Sequence, residues 1–226
     1  MRIVDLATTG TAEDESVIGG VAAVLLSAFA DGSFAWSSME AALTEVRESL
    51  RPGRLSLMAL SDNGAPVGWI AAIAGYQGHT WELHPLAVSP AHQRRGIGRT
   101  LTGQLEARVR ERGGRNLWLT TDDSTGQTNL FDIDLYPDVL AHLTRLASDG
   151  HPIGFYRRLG FVITGVIPDA YGLGRHEFVM AKRLSCTIGS TQDVRSTHTA
   201  PGSRGDSDRA VSKSETVADW DAGGMS

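Results

Sequence analysis

The sequence predicts one mixed α/β domain over residues 1–184, with about seven strands in a central sheet flanked by helices. Segments with helical apolar spacing and apolar segments of strand length follow one another in an irregular order. That order is strand, two helices, three strands, helix, strand, helices and two strands, which differs from a regular strand–helix–strand repeat and favours a mixed sheet. The chain has 226 residues, 41% of them apolar, and no internal repeat, which suits one sizeable core.

The first half of the domain is expected to hold a strand, two helices and a strand pair. Apolar side chains recur at helical spacing within residues 13–30 and 39–50, after a short strand at 3–6. Within 55–76 the turn Asp62-Asn63-Gly64 separates two apolar runs, which is typical of a β-hairpin.

The second half is expected to alternate strands and helices. A strand at 81–88 precedes a helix at 98–112, which should end at Gly113-Gly114 because glycine commonly follows the last helical turn. The remaining expected elements are a strand at 116–121, helices at 135–147 and 152–159, and closing strands at 161–168 and 177–184.

The composition changes after Leu184. Residues 185–226 are rich in Ser, Thr, Gly and Asp, with Trp220 as the single prominent aromatic side chain. Such a segment buries too little apolar surface to offset its ordering entropy, so we expect a disordered tail, and the simplest interpretation is a dispensable extension.

Charge and cysteine content exclude several classes of protein. The net charge of −5 argues against nucleic-acid binding. The single cysteine, Cys186, excludes an internal disulfide framework and a Cys-rich zinc site, and no metal is expected. No apolar run approaches the roughly 20 residues that span a bilayer, and the N-terminal MRIVDLATTG lacks a signal-peptide pattern. A cytoplasmic protein without membrane partners is therefore expected.

The segment from Val88 to Leu101 joins a strand to a helix through a turn that contains Gly96 and Gly98. A helix N-terminus presents unpaired N–H groups, and glycines allow a ligand close to the backbone, so this turn is suited to phosphate oxygens. Leu101 and the missing Gly-Lys-Ser/Thr exclude the two best-known phosphate loops. Three arginines add positive charge to the turn: Arg94, Arg95 and Arg99.

Two motifs resemble those of the GNAT N-acetyltransferases. The first, Val88-x-Pro90-x-x-Gln93-Arg94-x-Gly96-x-Gly98, is similar to the family's pyrophosphate signature, and the second is Tyr156-x-x-x-Gly160-Phe161. The resemblance implies the GNAT fold, with the sheet splayed between strands four and five around the pantetheine arm of acetyl-CoA. The implied cofactor-binding residues are Leu86, Ala87, Val88, Gln93, Arg94, Arg95, Gly96, Ile97, Gly98, Arg99, Thr100 and Tyr156.

Acetyl transfer to an amine needs a base, an oxyanion donor and an acid for the leaving thiolate. The N–H of Val88 is the expected donor, Tyr156 the acid, and Glu82 the base, acting directly or through water; His84 shares the strand face of Glu82. The alternatives are a surface role for Glu82, a core role for Tyr156 and a backbone hydrogen bond for His84. Asp149 stands where many members carry a cofactor-bonding Asn, so that contact is not carried over.

The stretch from Asp122 to Asp138 has five aspartates and no Lys or Arg, which favours a polycationic acceptor, although Asp also suits caps and turns. With WELHPLAV, DLYPDVL, HPxxFYRRLGF and GVIPDAYGLG, it resembles the aminoglycoside 6′-N-acetyltransferases. His176 departs from the small residue or proline expected there. The implied substrate-binding residues are Trp36, Tyr76, Glu82, His84, Asp122, Asp123 and Glu177.

Two alternatives stay open. The acceptor could be a polyamine or a protein N-terminus instead of an aminoglycoside, or the domain could bind acetyl-CoA without catalysis. A homodimer is the oligomeric state known for many proteins of this kind.

Overall fold

The computed structural model describes residues 1–7, 14–30, 36–123 and 125–184. The tail at 185–226, predicted to be disordered, lies outside the described residues, as does the first residue of the helix predicted at 13–30.

Within the described residues the strands form one seven-stranded sheet in the order β1-β2-β3-β4-β5-β7-β6. Neighbouring strands pair antiparallel except β4 and β5, which are parallel, so the predicted mixed sheet is confirmed. The strands are β1 (Arg2–Asp5), β2 (Arg54–Leu60), β3 (Pro66–Gly75), β4 (Thr80–Val88), β5 (Asn116–Asp122), β6 (Val162–Ile167) and β7 (Glu177–Arg183). The α-helices are α1 (Glu15–Ala28), α2 (Met39–Glu48), α3 (Ile97–Glu111), α4 (Val139–Thr144) and α5 (Pro152–Arg158).

Helices cover both faces of the sheet. Successive side chains of β2 point to opposite faces, so Leu57 packs in the cluster that includes α3 and α5, whereas Met58 packs in the cluster with α1 and α2. The strand is therefore apolar almost throughout, as expected for a strand covered on both faces. Leu101 on α3 is fully buried in the first cluster, and its truncation to alanine would cost about 2–5 kcal/mol.

The helix predicted at 135–147 is shorter than expected at both ends. Only Val139–Thr144 is helical. After Thr144 the chain runs beside residues 128–129: the Asn129 side chain donates to the Arg145 carbonyl (3.0 Å) and accepts from the Ala147 N–H (2.7 Å), and Thr128 forms a β-bridge with Ser148. These hydrogen bonds replace those that a longer helix would have made.

The sheet opens between β4 and β5. The two strands pair only at Thr80–Asn116, Trp81–Leu117 and Glu82–Trp118, although β4 continues to Val88. A β-bulge adds one residue to β4, since Leu83 lies opposite Ala72 but Leu86 opposite Ile70. The predicted splay between strands four and five is thus confirmed, and it creates a cleft at one end of the sheet.

Candidate active site

A cavity of about 1130 Å³ occupies the cleft between the diverging ends of β4 and β5. Its walls also include the turn before α3, helix α5, and the residues at the ends of α1 and β7. The expected site residues that line it are Trp36, His84, Leu86, Val88, Gln93, Arg94, Gly96, Ile97, Gly98, Arg99, Asp122, Tyr156 and Glu177. Those that do not line it are Tyr76, Glu82, Ala87, Arg95, Thr100 and Asp123.

The C-terminal half of β4 directs backbone groups into the cavity. The Ser89 N–H donates to the Val67 carbonyl (3.0 Å), so strand alternation turns the N–H groups of Val88 and Leu86 away from β3 and toward the gap. The Gln93 side chain donates to the Val88 carbonyl (3.0 Å), which fixes the start of the turn. The N–H of Ala87 points toward β3, and its side chain is buried in the cluster with α1. Ala87 therefore offers the cavity neither a backbone donor nor a side chain.

The turn before α3 presents its first N–H groups at the cavity. Gly96 has φ +83°, a left-handed conformation that favours glycine, and the 15-residue helix α3 begins directly after it. The N–H groups of the first helical turn have no partner within the helix. Thr100 differs from expectation, because its N–H donates to the Gly96 carbonyl (3.0 Å) and is already part of the helix. Arg94 and Arg99 line the cavity, whereas Arg95 points elsewhere.

Gly98 lies where α3 approaches α5. A Cβ atom at this position would be 3.2 Å from Cζ of Phe155 and 3.8 Å from Cδ2 of Leu86. The glycine therefore lets the turn and α5 come together at the cavity wall.

Tyr156 lies on α5 with its ring between two phenylalanines. The ring centroids of Phe155 and Phe161 are 5.1 and 5.6 Å from that of Tyr156. Burial raises the pKa of the Tyr156 hydroxyl above its usual range, so the group is protonated at neutral pH. No described residue hydrogen-bonds this hydroxyl, and Tyr156 lines the cavity, so the hydroxyl can donate to a bound molecule.

Glu82 and His84 lie on the same half-buried face of β4, as predicted. His84 lines the cavity and its ring is 5.5 Å from that of Trp36, whereas Glu82 does not line it. Two strand residues span about 7 Å, so the Glu82 carboxylate is suited to contact a molecule in the cavity through water. Burial raises the pKa of Glu82; Glu177 adds to this rise, while His84 and Arg54 oppose it.

Two carboxylates lie side by side in the cavity wall. Asp122 and Glu177 are direct partners in the β5–β7 ladder, and both line the cavity. The Tyr171 hydroxyl donates to Oε1 of Glu177 (3.2 Å). Burial, with the charges of Glu177 and Asp122, raises the pKa of Tyr171 to about 12, so its hydroxyl keeps its proton. The sequence reasoning missed Tyr171, although it lies within the GVIPDAYGLG segment.

His176 joins two loops next to the cavity. The buried His176 ring accepts from the Asp169 N–H at Nδ1 (3.1 Å), so the neutral ring carries its proton on Nε2. That nitrogen is 3.0 Å from the carbonyls of both Leu130 and Ile133, to which it donates. The departure noted in the sequence thus joins the loop before β7 to the loop after β5.

Besides Glu82, two further expected substrate-binding residues do not line the cavity. Asp123 is 1% exposed, and its carboxylate accepts from the N–H groups of Gln127 (2.7 Å) and Thr128 (2.9 Å), so it stabilises the following loop instead. Tyr76 is 81% exposed in the turn between β3 and β4, at φ +48°. Trp36 does line the cavity, packed against Phe29 at 4.9 Å.

Two further features concern only the described residues. None of their helices is both long and apolar enough to cross a membrane. No group of three or more His, Cys, Asp or Glu side chains is placed to hold a metal ion there.

Comparisons with known proteins agree with this geometry. The sequence pattern of the acetyltransferase (GNAT) family matches residues 23–161. An aminoglycoside 6′-N-acetyltransferase solved with coenzyme A is 29% identical, over 82% of this chain and 98% of that one, with a TM-score of 0.74. The aminoglycoside 6′-N-acetyltransferase from Enterococcus faecium is 30% identical over the same shares, with a TM-score of 0.72. No curated protein sequence matches the chain significantly.

Proposed function

Because the chain belongs to the acetyltransferase (GNAT) family, whose members use acetyl-CoA, we propose that it acetylates the 6′-amino group of aminoglycosides. The observation that carries this proposal is the pair Asp122 and Glu177, which are ladder partners and both line the cavity. Adjacent carboxylates attract an acceptor with several ammonium groups. The two aminoglycoside 6′-N-acetyltransferases that resemble the chain over 82% of its length support the same acceptor.

The turn before α3 fits the diphosphate of acetyl-CoA. The unpaired N–H groups at the start of α3 and the side chains of Arg94 and Arg99 supply donors and positive charge. The N–H groups of Leu86 and Val88, which point into the gap, suit the amides of the pantetheine arm and the thioester oxygen.

Each chemical step has a candidate residue. Acetyl-CoA supplies the thioester carbonyl that the amine attacks. Glu82 removes a proton from the ammonium group through water, which exposes the nitrogen lone pair. As the nitrogen–carbon bond forms, the Val88 N–H donates to the oxyanion. When the carbon–sulfur bond breaks, Tyr156 protonates the thiolate and regains a proton released from the new amide nitrogen.

Thiol release with purified protein and acetyl-CoA tests the proposal. Aminoglycosides with a 6′-amine should give turnover, whereas matched compounds with a 6′-hydroxyl should not. In a susceptible host, the wild-type gene should raise the minimum inhibitory concentration, and Tyr156→Phe should lower it again.

A polyamine or a protein N-terminus is the competing acceptor. Turnover of such an amine with no turnover of any 6′-amino aminoglycoside would refute the aminoglycoside assignment and leave acetyl transfer in place.

A further inference from the structure

His151 joins the start of α5 to the end of β5 through one buried ring. It is 4% exposed, lines the cavity, and makes two hydrogen bonds. Its Nδ1 accepts from the Ile153 N–H (3.1 Å), and its Nε2 is 2.8 Å from the Asp122 carbonyl. An amide N–H can only donate, so Nδ1 carries no proton, and the neutral ring donates from Nε2 to Asp122. Burial lowers the pKa of His151, which keeps the ring in this neutral form.

The first hydrogen bond sets the start of α5. His151 is the N-cap of this helix, and Tyr156 follows five residues later, one and a half turns away. The position of the Tyr156 hydroxyl in the cavity therefore depends on where His151 begins the helix.

The second hydrogen bond holds the end of β5. Pairing between β4 and β5 stops at Trp118, so the last residues of β5 have a strand neighbour only in β7. Asp122 is the final residue of β5 and the ladder partner of Glu177. A bond from His151 to the Asp122 carbonyl thus fixes both carboxylates relative to α5.

We propose that His151 is a positioning residue that sets the separation between the Tyr156 hydroxyl and the acceptor-binding pair Asp122 and Glu177. This inference rests on the proposed function, in which Tyr156 protonates the leaving thiolate. Both ring nitrogens of His151 bond backbone groups of this chain, so the inference gives the side chain no direct part in acetyl transfer.

Two substitutions separate the two hydrogen bonds. In His151→Asn the side-chain oxygen replaces Nδ1 and caps α5, but it is too short to reach Asp122. In His151→Gln the amide N–H replaces Nε2 and can donate to Asp122, but glutamine caps a helix poorly. We expect both variants to lose about 10–100-fold in kcat, because each breaks one of the two hydrogen bonds that set the separation, with the KM for acetyl-CoA unchanged. Both should also have a lower Tm, because each loses one buried hydrogen bond.

The matched control is Asp14→Ala, which removes the N-cap of α1, outside the cavity wall. It should lower Tm without changing kcat. If either His151 variant keeps the wild-type kcat, or if kcat falls with Tm in Asp14→Ala as well, His151 only supports the fold and the proposal is wrong.

The readout does not depend on the acceptor assignment. Turnover with whichever amine the wild-type protein accepts reports the placement of Tyr156 equally well, because the leaving thiolate is the same. Absence of aminoglycoside turnover in the wild type, with turnover of another amine, therefore refutes only the proposed acceptor. A wild-type protein that releases no coenzyme A with any amine overturns both proposals.

Discussion

Replacing Gly96 with alanine is expected to weaken coenzyme A binding, although the new methyl group meets no atom. A Cβ at this position has nothing within 4 Å, so a steric clash does not contribute. The cost comes from φ +83°, since a side chain in the left-handed region costs about 1–2 kcal/mol. If the free protein relaxes the turn, binding must restore the strained form, and the dissociation constant should rise about 5–30-fold.

Gly64 provides the matched control. It has φ +85° and likewise nothing within 4 Å of an added Cβ, but it lies in the turn between β2 and β3 and does not line the cavity. Gly64→Ala should lose the full 1–2 kcal/mol of stability, or about 2–8 °C in Tm for a domain of this size. Gly96→Ala should lose less, because relaxation of the turn in the free protein recovers part of the strain.

Calorimetric titration with coenzyme A and thermal unfolding check both expectations. Only Gly96→Ala should raise the dissociation constant. Equal affinities for the two variants would refute the role of the turn before α3 in holding the diphosphate.

Three further substitutions test the site. Tyr156→Phe should lower kcat by about 10²–10⁴-fold, because it removes the acid that protonates the thiolate, and a wild-type kcat in steady-state kinetics would exclude that role. Its Tm should be unchanged, because no described residue hydrogen-bonds the hydroxyl. Glu82→Gln should remove the acidic limb of the pH profile of kcat/KM, because activity in the wild type falls as pH drops through the raised pKa of Glu82. A raised pKa also means that ionised Glu82 destabilises the fold at neutral pH, so Glu82→Gln should have a higher Tm than the wild type there. This difference in Tm should shrink as pH falls through the raised pKa, and a lower Tm of the variant at neutral pH would contradict the reasoning. Tyr171→Phe should raise the KM for the acceptor about fivefold, through loss of the hydrogen bond to Glu177, and leave the KM for acetyl-CoA unchanged. An equal change in the two KM values would show that Tyr171 acts on the whole fold.

Local sequence signals predicted most of the fold. Alternating and helical apolar spacing located the strands and helices, and the turn residues located the hairpin at Gly64 and the start of α3. The helix at 135–147 was overestimated because Asn129, far away in sequence, bonds the backbone at Arg145 and Ala147. Competition between such long-range hydrogen bonds and those of a helix depends on the tertiary structure and leaves no periodic signal in the sequence.

The candidate site was predictable where a residue type has one main use. Gly96, Gly98 and two of the three arginines of the turn line the cavity as expected. Asp123 could either contact a ligand or bond a loop backbone, and only the folded structure shows that it does the second. His151 and Tyr171 act through partners 29 and 6 residues away, so their roles became visible only in the folded chain.

The parting of β4 from β5 leaves an open sheet edge in the interior of the molecule. Along Leu86 and Val88 the chain has β3 on one side and the cleft on the other. Exposed strand edges readily recruit extended chains, which is how many proteins aggregate. Coenzyme A, by lying along this edge, would shield it. Coenzyme A should therefore slow amide hydrogen exchange in the C-terminal half of β4 and reduce aggregation of the protein on heating.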